Sequence, residues 1–300
     1  MRIQIDARTN DLLNEDGSAI HALLADLIDY AGLYPPAGLD ITSAVRNYLC
    51  YSQSRDSFML GRFVVDINRL SELRDIAGSS IGDLRLSIIA SPATQWDVLP
   101  ALLGEGFLVD SIEVRVEQSS EIEHIVRQIP TGMTTYFEIP IFSAKPETLD
   151  AIPSGARVKL RTGGLVAEAF PPSEDIANIL QALAIRRISF KATAGLHHPI
   201  RSCNPFTYAP DSPTGMMHGF LNLFLAATLL YYGGSVGASE QLLHEEDCGA
   251  FSISSESIAW RSCGWTAGQI RTMRKEFAIS FGSCSFEEPI HDLEALGWLS

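Results

Sequence analysis

The residues best equipped for chemistry gather around a lysine set in a strand-like run. Lys191 lies within Ser189-Phe190-Lys191-Ala192-Thr193, and His197, His198 and Arg201 follow closely. An ammonium on an apolar strand loses its hydration. Burial is therefore expected to lower the lysine pKa and free its amine to attack a carbonyl as a Schiff-base nucleophile. His197 is the expected general acid or base beside it, because an imidazole exchanges protons near neutral pH. Glu138, inside Tyr136-Phe137-Glu138-Ile139, is the carboxyl expected to share that task. Arg115 and Arg161 stand near the ends of charged strand-like runs, and a guanidinium grips a carboxylate or phosphate through paired N–H groups. His198 and Arg201 complete the expected substrate contacts of this cluster.

Two turns add backbone groups to the set. Gly163 and Gly164 follow Arg161 and would let the chain approach a ligand closely, a plain turn being the alternative. Gly282-Ser283-Cys284-Ser285 ends the last predicted strand. Loops there often hold anions on backbone N–H groups at a helix N-terminus, which makes Gly282 and Ser283 candidates. Ser285 with Glu288 three residues on also reads as a capping box, and Glu287 and Glu288 would repel an anion. Cys284 has no base beside it in sequence and is not the expected nucleophile.

Such residues need a scaffold that turns them to one side. Short β-rich runs occur at Phe58–Val65, Leu84–Ala90, Val109–Val116, Thr134–Ile141, Arg157–Arg161 and Ile188–Thr193, and a final strand at Phe277–Phe281. Helical segments fall between them, at Trp96–Leu103, Ser119–Ile129 and, most clearly, Ser173–Arg186, where Ser173 is the expected N-cap. A repeating strand–helix unit of roughly 25–30 residues implies parallel strands joined by right-handed crossovers. The predicted fold is a TIM-type (β/α)8 barrel over residues 56–300, preceded by a helical extension over 1–55. Asn14–Tyr30 has helical spacing, and Phe251–Trp260 is either a barrel strand or a late β-hairpin. No early strand carries a GxGxxG turn, which disfavours a dinucleotide-binding sheet.

The strands of a parallel barrel are ordinarily near-continuous apolar runs, yet these alternate charge with β-branched residues. Glu113, Arg115 and Glu117 share one face of their strand, and Lys159 and Arg161 share one face of theirs. The outside of a barrel is covered by helices, so the charges are expected to face the lumen and largely neutralise one another. The deeper ones, Glu113 and Lys159, are expected to form a structural network. Those nearer the strands' C-terminal ends are expected to form the site.

Phe190-Lys191-Ala192-Thr193-Ala194-Gly195 resembles the Lys-Thr-Ser-Thr-Gly strand of the deoxyribose-phosphate-type class I aldolases. Lys191 and Gly195 match that pattern, while Ala192 and Ala194 depart from it. The resemblance covers about six residues. It implies a Schiff-base lysine on the sixth barrel strand, with Glu138 on the strand where that family places an acid.

Composition narrows the partners. A formal charge of −14 disfavours nucleic acid, which requires a basic surface, but leaves room for a small anionic metabolite held by local cations. The five cysteines are dispersed without a CxxC, the usage of reduced thiols in a cytoplasmic protein. The apolar run Phe220–Tyr232 falls short of the roughly 20 residues a membrane span needs, so a buried core helix is expected. A homo-oligomer is compatible with the sequence.

Three functions fit these features. The first is a lyase acting on a small anionic carbonyl compound through Lys191, with no cofactor. The second is a metal-assisted enzyme with Glu117, Glu138 and a histidine around Mg²⁺ or Zn²⁺, although the chain has neither HxH nor HExxH. The third is a non-catalytic binding or scaffold barrel whose charges form a structural ion-pair network.

Overall fold

A strand that alternates charged with β-branched residues has one stable placement in an α/β protein: apolar face under the helices, charged face in a closed lumen. In the computed structural model, which describes residues 17–94, 96, 104–130 and 132–299, the chain adopts that arrangement. Eight parallel strands close into a barrel: β1 (Ile28–Tyr30), β2 (Leu60–Asp66), β3 (Arg85–Ala90), β4 (Leu108–Arg115), β5 (Thr134–Ile139), β6 (Arg157–Arg161), β7 (Phe190–Thr193) and β8 (Ala278–Ser283). They follow one another around the barrel in chain order, and β1 closes it by pairing with both β2 and β8. The α/β barrel expected from the sequence is the fold of the chain.

The outward residues Ile112, Val114, Phe137, Val158, Leu160 and Phe190 join the helices in one apolar core. Phe281 of β8 stacks on Phe220, with ring centroids 5.2 Å apart. Phe220 begins the helix Phe220–Tyr231, which is buried along its whole length up to Leu230. This explains the apolar run, and among the described residues no helix is long and apolar enough to cross a membrane. Asn222 is satisfied inside it: its amide donates to the carbonyls of Leu242 and Glu245 at 2.8 and 2.9 Å. Its carbonyl oxygen accepts from the Arg201 backbone at 2.9 Å.

Two local readings are corrected, the N-terminal extension and the Ser173 cap, and the alternative left open at Phe251–Trp260 resolves as a hairpin. The N-terminal region is part of the barrel, because β1 lies within the segment read as helix and extension. The helix stops at Leu24, and Asp26 takes a left-handed φ of 50°, which turns the chain before the apolar spacing ends. Phe251–Ile253 and Ser257–Trp260 pair antiparallel, joined by Cys263–Thr266, outside the barrel, so β1 rather than this segment is the eighth strand. The helix Ser173–Arg186 begins with Ser173 inside it; Pro172 occupies the cap position and the Ser173 hydroxyl is buried without a partner. The segment Trp96–Leu103 lies outside the described residues apart from Trp96.

Counting β1 has a consequence for the resemblance. Lys191 lies on the seventh strand, and the lysine of the sixth is Lys159.

Candidate active site

The barrel floor is a chain of carboxylates and ammonium groups running from β1 to β6. Lys191 is 2% exposed, and Tyr136 presents its ring 4.6 Å from the ammonium. The ammonium donates to Asp29 Oδ2 and Ser87 Oγ, both at 3.1 Å, and to Glu113 Oε1. The second oxygen of Glu113 lies 2.7 Å from Lys159 Nζ, which is also 2.7 Å from Glu138 Oε2. Arg161 completes the chain at the rim, its Nη2 3.2 Å from Glu138 Oε1. Glu113 therefore bridges the two lysines, and Lys159 bridges the two glutamates.

Adjacent parallel strands place these groups side by side. Lys159 is in register with Lys191, Glu138 with Lys159, and Arg115 with Glu138. Asp29 is fixed from three sides: by the Arg62 backbone N–H at 2.9 Å, Ser280 Oγ at 2.8 Å and Lys191. Gly61 of β2 makes this approach feasible, since a Cβ there would collide with Asp29 Oδ1.

Pairing reverses the expected electrostatics of Lys191. Burial alone would lower its pKa, but Glu113 and Asp29 outweigh burial and hold it above the ordinary lysine value. Glu113 behaves conversely: burial would raise it, and Lys159 with Lys191 hold it well below the usual carboxylate range. Glu138 is also held low, Lys159 and Arg161 outweighing its desolvation. Lys191 is thus a fixed ammonium rather than the neutral amine expected from an apolar strand.

Above this floor a cavity of about 260 Å³ opens at the strands' C-terminal ends. Glu113, Lys159, Arg161, Lys191, Gly164, His197 and Gly282 all line it. Glu138 is 9% exposed and pairs with Lys159 and Arg161. Glu113 and Lys159, the deeper charges, form the expected buried ion-pair network and also line the cavity.

The remaining sequence candidates are placed elsewhere. Arg115 and Glu117 are exposed and face each other at 3.9 Å. His198 pairs with Asp292 at 2.6 Å, and the Arg201 guanidinium with Glu246. Gly163 serves packing: a Cβ there would lie 2.6 Å from Phe170 and 2.9 Å from the Cα of Gly195. Ser283 is buried; its carbonyl accepts from Ala31 at 2.7 Å and its hydroxyl from the Ser285 backbone at 3.3 Å. Ser285 Oγ accepts the Glu288 N–H at 3.1 Å, but Phe286 occupies the cap position of the helix Glu287–Ala295 and Glu288 turns its carboxylate to His197 and Tyr208, so the expected capping box does not form. His197 lines the cavity with its Nδ1 2.8 Å from Glu288 Oε2, and Glu288 also accepts from Tyr208 at 3.1 Å. Burial pushes the lining Cys284 thiol up, keeping it uncharged.

Asp29, Ser87, Ser280 and Tyr34 were not singled out from the sequence. Asp29 had a signal, an acid between Ile28 and Tyr30 that repeats the charged-strand pattern, but the segment is too short to break the helical spacing around it. Ser87 and Ser280 had none, because a serine in a strand is uninformative.

No protein-family model matches this chain, and no curated protein matches it in sequence. Among the described residues no three His, Cys, Asp or Glu side chains come together to hold a metal ion.

One histidine outside the site carries a stability prediction. His218 is buried, its Nε2 2.8 Å from the Pro171 carbonyl and its Nδ1 without a partner. Desolvation, with smaller contributions from Arg201 and His244, lowers its pKa from 6.5 to about 4. The unfolded chain binds this proton more readily, so the contribution is complete above pH 6.5 and is lost as pH falls toward 4. The loss should be roughly 3 kcal/mol. Urea unfolding across that range should lose this slope in His218→Gln; an unchanged slope would assign it to other groups.

Proposed function

We propose that the chain is a lyase of the class I aldolase type, acting on a small anionic carbonyl compound through the amine of Lys159. The observation that carries this reading is the lysine pair: two buried ammonium groups on adjacent strands share one carboxylate at the floor of an open cavity. Between them the roles divide by environment. Lys191 is enclosed by Asp29, Ser87 and Glu113 and remains the fixed cation. Lys159 lies next to Glu138 and two residues before Arg161 on β6. The sixth-strand position implied by the aldolase resemblance is also that of Lys159.

The chemistry follows from these roles. Lys159 gives one proton to Glu138, and its nitrogen lone pair forms a bond to the carbonyl carbon while the C=O π pair moves to oxygen. A proton passes from nitrogen to that oxygen. The oxygen takes up a second proton from Glu138 and leaves as water, and the nitrogen lone pair closes the iminium. The β-hydroxyl of the substrate then gives its proton to the Glu138 carboxylate, its O–H pair becomes the C=O of the released carbonyl product, and the pair of the breaking carbon–carbon bond moves onto the iminium as an enamine. Arg161, half exposed beside Glu138, offers its guanidinium to a substrate carboxylate or phosphate. His197 at the wall, paired with Glu288, is the group for proton return to the enamine carbon.

Borohydride reduces an iminium to a stable secondary amine. Incubation with pyruvate, 2-oxobutyrate, glyceraldehyde 3-phosphate and dihydroxyacetone phosphate should therefore raise the intact mass by one substrate residue for at least one compound. An unchanged mass across this set would refute the covalent reading.

A second reading draws on the same network. Every floor charge is paired, which also suits a structural role in a non-catalytic binding barrel. That reading expects no adduct, with ligand binding unaffected by Lys159→Arg.

A further inference from the structure

Part of the cavity lining is apolar. Beside it Tyr34 lines the cavity, and among the described residues its buried hydroxyl has no hydrogen-bond partner. A buried hydroxyl left unpaired is unfavourable, and such groups are ordinarily matched by protein, water or ligand. Burial raises its pKa, with the negative charges of Asp66 and Glu113 adding to the shift, so it is a neutral donor. Around it the wall is made by Pro35, Val64, Ile89, Leu165, Phe206 and Met217. None of these side chains can receive a hydroxyl. A hydroxyl placed against these side chains would lose hydration with little in exchange, whereas an alkyl carbon there would gain from the same transfer.

We propose that Tyr34 is a substrate-binding residue, donating a hydrogen bond to the oxygen on C2 of the ligand, and that the wall beside it selects a 2-oxo or 2-hydroxy acid with an alkyl body over a polyhydroxylated compound. This deepens the carbonyl-lyase reading by naming its substrate class, but the recognition step requires no covalent bond. The carboxylate lies toward Arg161 and the lysine floor, the C2 oxygen toward Tyr34, and the alkyl chain along the wall.

The test uses 2-hydroxy acids, which cannot form an imine and so report binding alone. Calorimetric titration of the full chain with lactate, 2-hydroxybutyrate and 2-hydroxyhexanoate should show affinity rising roughly fourfold per added methylene. Glycerate, the hydroxylated analogue of lactate, should bind no more tightly than lactate. Tyr34→Phe should weaken 2-hydroxyhexanoate by about tenfold, the range of one neutral hydrogen bond. Hexanoate, which lacks the C2 oxygen, should bind both proteins equally. The proposal is overturned if affinity is flat with chain length, if Tyr34→Phe weakens both six-carbon acids alike, or if neither acid binds. Binding as expected with no borohydride adduct would sink the lyase reading and leave this one standing.

Discussion

Glu113→Gln should destabilise the barrel by on the order of 3–5 kcal/mol, the range found when one partner of a buried ion pair is removed. The side chain keeps its shape but loses the charge that both Lys159 and Lys191 face at 2% exposure. Lys191 retains Asp29 and Ser87, and Lys159 retains Glu138, so the protein should fold but unfold at lower urea. Glu113→Gln combined with Lys191→Met removes one charge of each sign and should recover a substantial part of the loss. A single-variant effect below about 1 kcal/mol would mean the network contributes little.

The pH dependence has a definite sign. A carboxylate held low in the folded state contributes fully above its unfolded pKa, 4.5 for Glu113, and loses that contribution as pH falls below it. An ammonium held high contributes fully below its unfolded pKa, 10.5 for Lys191, and loses it as pH rises beyond. The network should thus be intact between these values. His218 is the group expected to erode stability inside that window.

Lys159→Arg should reduce carbon–carbon cleavage by roughly 10⁴-fold or more, the scale on which loss of a covalent nucleophile is felt. Arginine keeps a cation between Glu113 and Glu138 but forms no imine under these conditions, so stability should change far less than turnover. Lys191→Arg is the informative contrast. It preserves the buried charge, and the amine of Lys159 remains, so adduct formation should persist even if packing against Tyr136 suffers. Kinetics on whichever carbonyl acid the wild-type protein cleaves fastest would check both. Equal loss in the two variants would mean that the lysines act as a unit rather than in separate roles.

The fold was legible because period-two alternation and the strand–helix rhythm are local signals, and Glu113, Glu138, Lys159, Arg161 and Lys191 carry them openly. The lumen location of these charges followed from the apolar alternates that the helices cover. What was not legible was pairwise. Nothing in the sequence says that Lys191 meets Asp29 across a separation of 162 residues, and that meeting turns an expected neutral amine into a fixed ammonium. Arg115 looked equivalent to Arg161, yet β4 ends there and the side chain is exposed beside Glu117. β1 was concealed because three residues are too few to show a period, and missing it shifted the strand count by one, so that Lys191 rather than Lys159 was counted on the sixth strand.

That shift makes the central claim directly measurable. After borohydride trapping with the compound giving the largest mass increase, the wild-type protein would be digested and its peptides sequenced by mass spectrometry. The reduced adduct is expected on Lys159, in the segment Arg157–Arg161, with Lys191 unmodified. An adduct on Lys191 alone, or no adduct on either lysine, would contradict that claim.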